Sequence, residues 1–186
     1  MTSRVRERTA AQGRHRVISG GLADTDVHCG VVFTVLGPLE LPGVPDAPRP
    51  CGKQAALLAF LLLRPNAWVG ADEICDALWG AAPPASADRN VKTYVWQLRR
   101  VLPVAADGGE RLQGRRGGYR IRTTPGELDA TVLEQAVGRV DADPAVTVSR
   151  LQEALALWRG RPYPELPEAG TPVVGAPLEQ GRWQLL

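Results

Sequence analysis

The chain has 186 residues, 44% of them hydrophobic and 23% charged, which is enough apolar material for one ordinary domain or two small ones and excludes wholesale disorder. Its net charge is only +2, but the sum over residues 85–122 is +6, with nine cationic side chains against Asp88, Asp107 and Glu110. The longest apolar run, residues 55–63, is too short to span a bilayer and starts too far along the chain for a secretory signal, so no membrane segment and no export are expected and the plain location is the cytoplasm.

Residues 1–28 lack apolar periodicity and read as a flexible tail, in which Arg4, Arg6, Arg8, Arg14 and Arg16 either attract phosphate or simply solubilise. Residues 31–41 (VVFTVLGPLEL) are rich in β-branched side chains and read as a strand bent at Gly37-Pro38. The four prolines of residues 42–52 forbid a regular helix there and leave a loop or an edge strand. Residues 52–64 read as a helix that is apolar on almost every side, hence buried, and Pro65-Asn66 ends it. A short strand at Ala67-Trp68-Val69 precedes a second helix over residues 71–79. In that helix Ile74, Ala77 and Leu78 share one face, Asp72, Glu73 and Asp76 the other, and Gly80 stops it.

The third helix spans residues 86–102. Val91, Val95, Leu98 and Leu102 recur at spacings of four, three and four and form an inward stripe. Arg89, Lys92, Thr93, Trp96, Arg99 and Arg100 then lie mostly on the opposite side. Pro103 ends the helix, a polar loop follows, and residues 111–116 and 119–123 form the arms of a hairpin around Gly117-Gly118, with Arg115 and Arg116 near its tip. A basic helix followed by a basic hairpin is the winged-helix way of holding double-stranded DNA: the helix fits the major groove and the hairpin reaches the neighbouring backbone or minor groove. The candidate DNA-binding set is therefore Arg89, Lys92, Thr93, Trp96, Arg99, Arg100, Arg115 and Arg116. Arginine suits guanine through two parallel hydrogen bonds, Lys92 suits phosphate, and Thr93 suits phosphate or a thymine methyl group. Trp96 reads equally as a stacking group or as a cover for the hydrophobic edge of the helix. A merely solvated basic face is the plain alternative for the whole region.

Thr124-Pro125-Gly126 marks a break in composition. Beyond it, residues 128–140 and 145–158 read as two helices, the second with a stripe of Val148, Leu151, Leu155 and Trp158, together an αα-hairpin of the kind used in helical repeats. Residues 160–177 are rich in Pro and Gly, and the final residues read as the start of another helix. Such a module needs about three units to bury its faces, so a partial array is expected.

No enzymatic chemistry is expected. Gly52-Lys53 fails as a phosphate loop because Gln54 stands where Ser or Thr is needed and Ala47 where the first glycine belongs. Cys29, Cys51 and Cys75 are odd in number and widely spaced, with no CxxC or Cys/His cluster, so neither a metal site nor a disulfide framework is supported, and Cys75 reads as a small buried apolar group. His15 and His28 lie in the tail. No cofactor is implied. Twenty of the 22 basic residues are Arg, which fits a GC-rich bacterial genome as well as DNA binding.

The order strand, three helices, hairpin resembles the OmpR/PhoB-type winged helix, and more closely the SARP/AfsR family of actinobacterial regulators. The residues that carry the resemblance are VLGPLE from Val35, GKQAALLAFLLL from Gly52, DALWG from Asp76, PPAS from Pro83, TYVWQLRRVL from Thr93 and GGYRI from Gly117, then ELDA from Glu127 and EALALWRG from Glu153. The resemblance covers about residues 31–166. It implies an α+β fold: a winged helix-turn-helix over residues 29–124, after the 1–28 tail, followed over residues 125–186 by a short, truncated, all-α TPR-like segment of the bacterial transcriptional activator kind. It also implies a cytoplasmic activator of antibiotic or other secondary-metabolite clusters that binds direct repeats near promoters, often as side-by-side protomers, and contacts RNA polymerase. An adaptor or antagonist that works through protein contacts with a full-length regulator is the competing reading. Two departures stand out: Trp96 occupies a position usually small and polar in the family, and Lys92 replaces a common Gln.

Overall fold

The computed structural model describes residues 30–42, 44, 48–139 and 141–166. The tail expected at residues 1–28 and the helix start expected near the C-terminus lie outside the described residues. The elements are α1 (Gly52–Leu62), β1 (Val69–Gly70), α2 (Ala71–Trp79), α3 (Ala87–Val101), β2 (Leu112–Arg115), β3 (Gly118–Ile121), α4 (Asp129–Val137) and α5 (Pro144–Ala156). Helices α1, α2 and α3 pack on one another, and the strands form a three-stranded antiparallel sheet in the order β1-β3-β2. This is a winged-helix arrangement. Among the described residues no helix is long and apolar enough to cross a membrane.

Local sequence explains most of these elements. Eight consecutive residues of α1, Ala55 to Leu62, are buried, as an all-round apolar helix requires when it sits between two others and the sheet. In α2, Ile74, Cys75 and Leu78 turn inward, Ala77 is half-buried, and Asp72 and Glu73 occupy the first turn, where a carboxylate meets the positive end of the helix. In α3, Val91, Val95 and Leu98 are buried. Leu102 departs from the expected stripe. It is only half-buried and leaves the helix with ψ of 136, because Pro103 forces the residue before it out of helical geometry.

Residues 31–41 do not form the expected strand. They make two isolated bridges, Phe33 parallel to Leu128 and Thr34 antiparallel to Glu40. Several of their other backbone groups find partners far along the chain. The Asp129 carboxylate accepts from the Val35 amide at 2.9 Å and the Leu36 amide at 3.0 Å. Arg159 N–H donates to the Leu36 carbonyl at 2.6 Å and Tyr163 N–H to that of Val35 at 2.9 Å. The segment is thus clamped by side chain and loop rather than by a neighbouring strand.

The expected break at residues 124–126 is a turn, closed by Glu127 N–H donating to the Thr124 carbonyl at 3.1 Å. The chain does not leave the core there, because Leu128, Ala130, Leu133, Ala136, Ala154, Leu157, Tyr163 and Leu166 belong to the same buried cluster as α1 to α3. Arg111, only 4% exposed, meets Glu127 across this turn at 2.5 Å. Burial alone would raise the Glu127 carboxyl, but hydrogen bonds from Arg111 and the Thr124 amide outweigh it and hold it below the usual carboxylate range. Asp129 shifts the other way. Its burial raises it, and the amides of Leu36, Val35 and Ala130 only partly offset that. Helices α4 and α5 pack together, but α4 ends at Val137, and α5 turns Ala154 inward rather than the expected stripe. Leu151 and Leu155 are half-buried, and Val148 is 52% exposed.

Candidate nucleic-acid interface

With Val91, Val95 and Leu98 inward, helical periodicity sets Arg89, Thr93, Trp96 and Arg100 in one outward line at spacings of four, three and four. All four are exposed. Thr93 Oγ1 donates back to the Arg89 carbonyl at 3.0 Å, so its hydroxyl proton is engaged within the helix and its methyl group remains for outside contacts. Trp96 is 57% exposed, and the Arg100 guanidinium lies 4.7 Å from its ring centroid, one helical turn on. This pair borders a shallow groove with Pro48, Arg49 and Gln54. Gln97 lines that groove too.

The hairpin β2–β3 is the wing. Its turn is Arg116-Gly117, one residue earlier than the sequence pattern implied, since Arg115 pairs with Gly118. Gly117 supplies φ of 78, in the left-handed region that favours glycine. Gly118 falls inside the strand instead, pressed against β1. A Cβ there would stand 2.6 Å from the Val69 carbonyl oxygen. The Ala71 amide, at the start of α2, donates to the Gly117 carbonyl at 3.0 Å and ties the tip of the wing to the three-helix core.

A groove runs between α3 and the wing, bordered by Lys92 on one side and Arg115, Arg116 and Tyr119 on the other. The fold therefore brings Lys92 together with Arg115 and Arg116, expected site residues that lie more than twenty positions further along the chain. Asp88 also lines this groove, and the Cys75 thiol contacts its carboxylate at 3.9 Å. Burial first, then Asp88, Asp72 and Asp76, push the Cys75 thiol up, so it stays protonated at neutral pH.

The nine cations of residues 85–122 divide into two groups. Arg99 Nε lies 2.9 Å from Glu110 and also donates to the Leu112 carbonyl at 2.9 Å. Arg111 is buried against Glu127, and Arg122 meets Asp107 at 2.5 Å. The other six, Arg89, Lys92, Arg100, Arg115, Arg116 and Arg120, make no ion pair among the described residues. Of the eight residues singled out from the sequence, Arg99 is thus the one held by an internal ion pair, at the junction of α3 with the wing. Two further residues outside the expected set shape the surface. Arg120 Nε donates to Gln113 Oε1 at 2.8 Å, and Trp68 lies beneath both Arg115 and Arg120. Period-two alternation in the hairpin could have flagged Arg120, whereas nothing in the local string marks Trp68.

Known proteins share this arrangement. Residues 51–121, which run from the start of α1 to the end of the wing, match the family model described as "Transcriptional regulatory protein, C terminal". The chain is 33% identical to the regulatory protein AfsR of Streptomyces griseus over 159 residues, covering 82% of this chain and 16% of that protein. It is 38% identical to the transcriptional regulatory protein MoaR1 of Mycobacterium tuberculosis over 149 residues, covering 75% and 48% respectively. It is 30% identical to the transcriptional regulator RedD of Streptomyces coelicolor over 182 residues, covering 89% and 50%. The chain thus spans half or less of each of these relatives. Among solved structures, Mycobacterium tuberculosis EmbR in complex with a low-affinity phosphopeptide superposes with a TM-score of 0.67 at 28% identity, over 83% of this chain and 43% of that one.

Proposed function

We propose that this chain, which belongs to the SARP/AfsR-type family of transcriptional regulators, binds double-stranded DNA with the outward face of α3 in the major groove and the wing on the adjacent backbone. The observation that carries this reading is the separation of cations: three arginines meet carboxylates of the chain itself, while six cations of α3 and the wing meet none among the described residues. Like charges gathered on α3 and the wing repel one another, and a polyanion relieves that repulsion.

In this reading Arg89 and Arg100 reach base edges or phosphates, Lys92 and Arg116 meet phosphate on either side of the groove, and Arg99 holds the wing against the helix. Residues 29–124 act as the DNA-binding unit, and α4 and α5, which share its buried core, as its helical neighbour. We further propose that the chain activates a secondary-metabolite cluster by binding direct repeats near promoters, as paired protomers in contact with RNA polymerase. A gel-shift scan of the regions upstream of neighbouring genes, followed by footprinting, tests this. A footprint over a direct repeat supports it, and failure to retard any such fragment at low salt overturns it.

One observation favours a second reading, an adaptor that works through protein contacts: Val146 and Val148 are 51% and 52% exposed on α5, alongside the exposed Trp96. Light scattering during size-exclusion separates the two. A monomer that binds DNA alone rules against the adaptor, and a stable complex with a full-length homologue that no longer binds DNA supports it.

A further inference from the structure

Antiparallel pairing sets the outer face of the wing. Val69 pairs with Tyr119 and Gly70 with Gly118, while Gln113 pairs with Arg120 and Arg115 with Gly118. Side chains alternate along each strand, so Val69, Ile121 and Leu112 turn to the core, where all three are buried. The opposite face then carries Trp68, Gly70, Gly118, Arg120, Gln113 and Arg115. The two glycines lie in the row of Arg115 and put no side chain there. The Arg115 guanidinium rests 4.4 Å from the Trp68 ring centroid. Arg120 reaches the same ring at 4.7 Å and is fixed from its other side by Gln113 at 2.8 Å.

Two cations therefore share one indole, and among the described residues neither is paired with a carboxylate. Stacking fixes the plane of a guanidinium while leaving its N–H edges free to donate. The paired arginines nearby, Arg99, Arg111 and Arg122, have those edges occupied.

We infer that Trp68 is a positioning residue for DNA binding: it holds Arg115 and Arg120 as a rigid, pre-aligned pair of phosphate donors on the outer face of the wing. This rests on the DNA-binding reading above. Its chemistry is sequence-independent because the phosphate is the same at every nucleotide, and an ordered arginine fork loses less conformational entropy on meeting it than a free side chain does.

The test is fluorescence anisotropy of the full chain with a fluorescein-labelled duplex of arbitrary sequence at about 50 mM salt. Trp68→Leu weakens binding about three- to fivefold, and Trp68→Phe, which keeps a stacking ring, stays within about twofold of wild type. In an Arg115→Ala/Arg120→Ala background Trp68→Leu adds no further loss, which a general structural role would not reproduce. In the free protein the Arg115 Hε resonance lies upfield through the ring current of Trp68. If Trp68→Leu fails to fold, that resonance carries the test, and its position at the value of a free arginine overturns the inference. Wild-type affinity in Trp68→Leu, or an equal loss in the doubly substituted background, overturns it as well. Lys92→Ala measured alongside distinguishes the two levels: loss in Lys92→Ala with none in Trp68→Leu removes only the role of Trp68, and absence of any binding by wild type removes both.

Discussion

Arg111 and Glu127 form a two-pronged ion pair, Nη1 to Oε2 at 2.5 Å and Nη2 to Oε1 at 3.0 Å, across the turn that joins the wing to α4. Arg111 also donates to the carbonyls of Pro103, Val104 and Arg122, so one side chain satisfies three backbone acceptors besides the carboxylate. Removing one partner of a buried pair leaves the other charge without compensation, typically at about 3–5 kcal/mol. Glu127→Gln and Arg111→Met are expected to lose stability on that scale in urea denaturation, with Arg111→Met the worse because the three carbonyls are abandoned too. An unchanged midpoint in both variants would show that the pair does not join the two parts of the chain.

The same pair sets a pH dependence. The Glu127 carboxyl is lowered in the fold, so its contribution is complete above the unfolded value, about 4.3, and is lost as pH falls through the folded value. Asp129 is raised, so its contribution has the opposite sign and is lost as pH rises through its folded value. Thermal melts below about pH 4.3 are therefore expected to show a steeper acid loss in wild type than in Glu127→Gln. Parallel curves for the two proteins would contradict the assignment.

The sheet depends on a glycine where β1 meets β3. A methyl group at Gly118 would stand 2.6 Å from the Val69 carbonyl oxygen, and a backbone atom cannot swing aside as a side chain can. Gly118→Ala is expected to cost about 1–3 kcal/mol and to loosen the wing, read as a lower melting temperature and faster amide exchange at Tyr119 and Arg120. Unaltered exchange would mean that β1 can shift without consequence.

Cys51 and Cys75 differ in burial, the first exposed and the second buried with its thiol pushed up by burial and by nearby aspartates. Iodoacetamide at neutral pH is expected to alkylate Cys51 well before Cys75, followed by peptide mass spectrometry. Equal rates would place Cys75 in solvent.

The helices were legible because their signals are local. The bounds of α2 agree with the sequence pattern, α1 is shorter by its last two residues, and the inward stripe of α3 holds through Val91, Val95 and Leu98. Residues 31–41 misled because β-branched composition measures fitness for an extended, half-buried backbone, not the presence of a partner strand. Their actual partners, Asp129, Arg159 and Tyr163, lie about a hundred residues away, and no short-range pattern encodes that. The α5 stripe shifted because the small Ala154, not the bulkier Val148, is the residue that reaches the core. The basic block was visible as a sum of charge, but the pairing of Arg99 with Glu110, Arg111 with Glu127 and Arg122 with Asp107 is a tertiary property. Trp68 escaped notice for the same reason, since its significance comes from two arginines on other strands.

The most direct measurement of the central claim is the salt dependence of binding to duplex DNA for wild type, Arg89→Ala, Lys92→Ala, Arg116→Ala and Arg99→Ala. Each phosphate contact contributes about −0.9 to the slope of log affinity against log salt. The first three variants, whose cations make no ion pair among the described residues, are expected to weaken binding, with a slope shallower by about one for each that meets a phosphate, while Arg99→Ala keeps the wild-type slope because its charge is already met by Glu110. Wild-type affinity and slope in all three, or a reduced slope in Arg99→Ala alone, would contradict the assignment of this face to DNA.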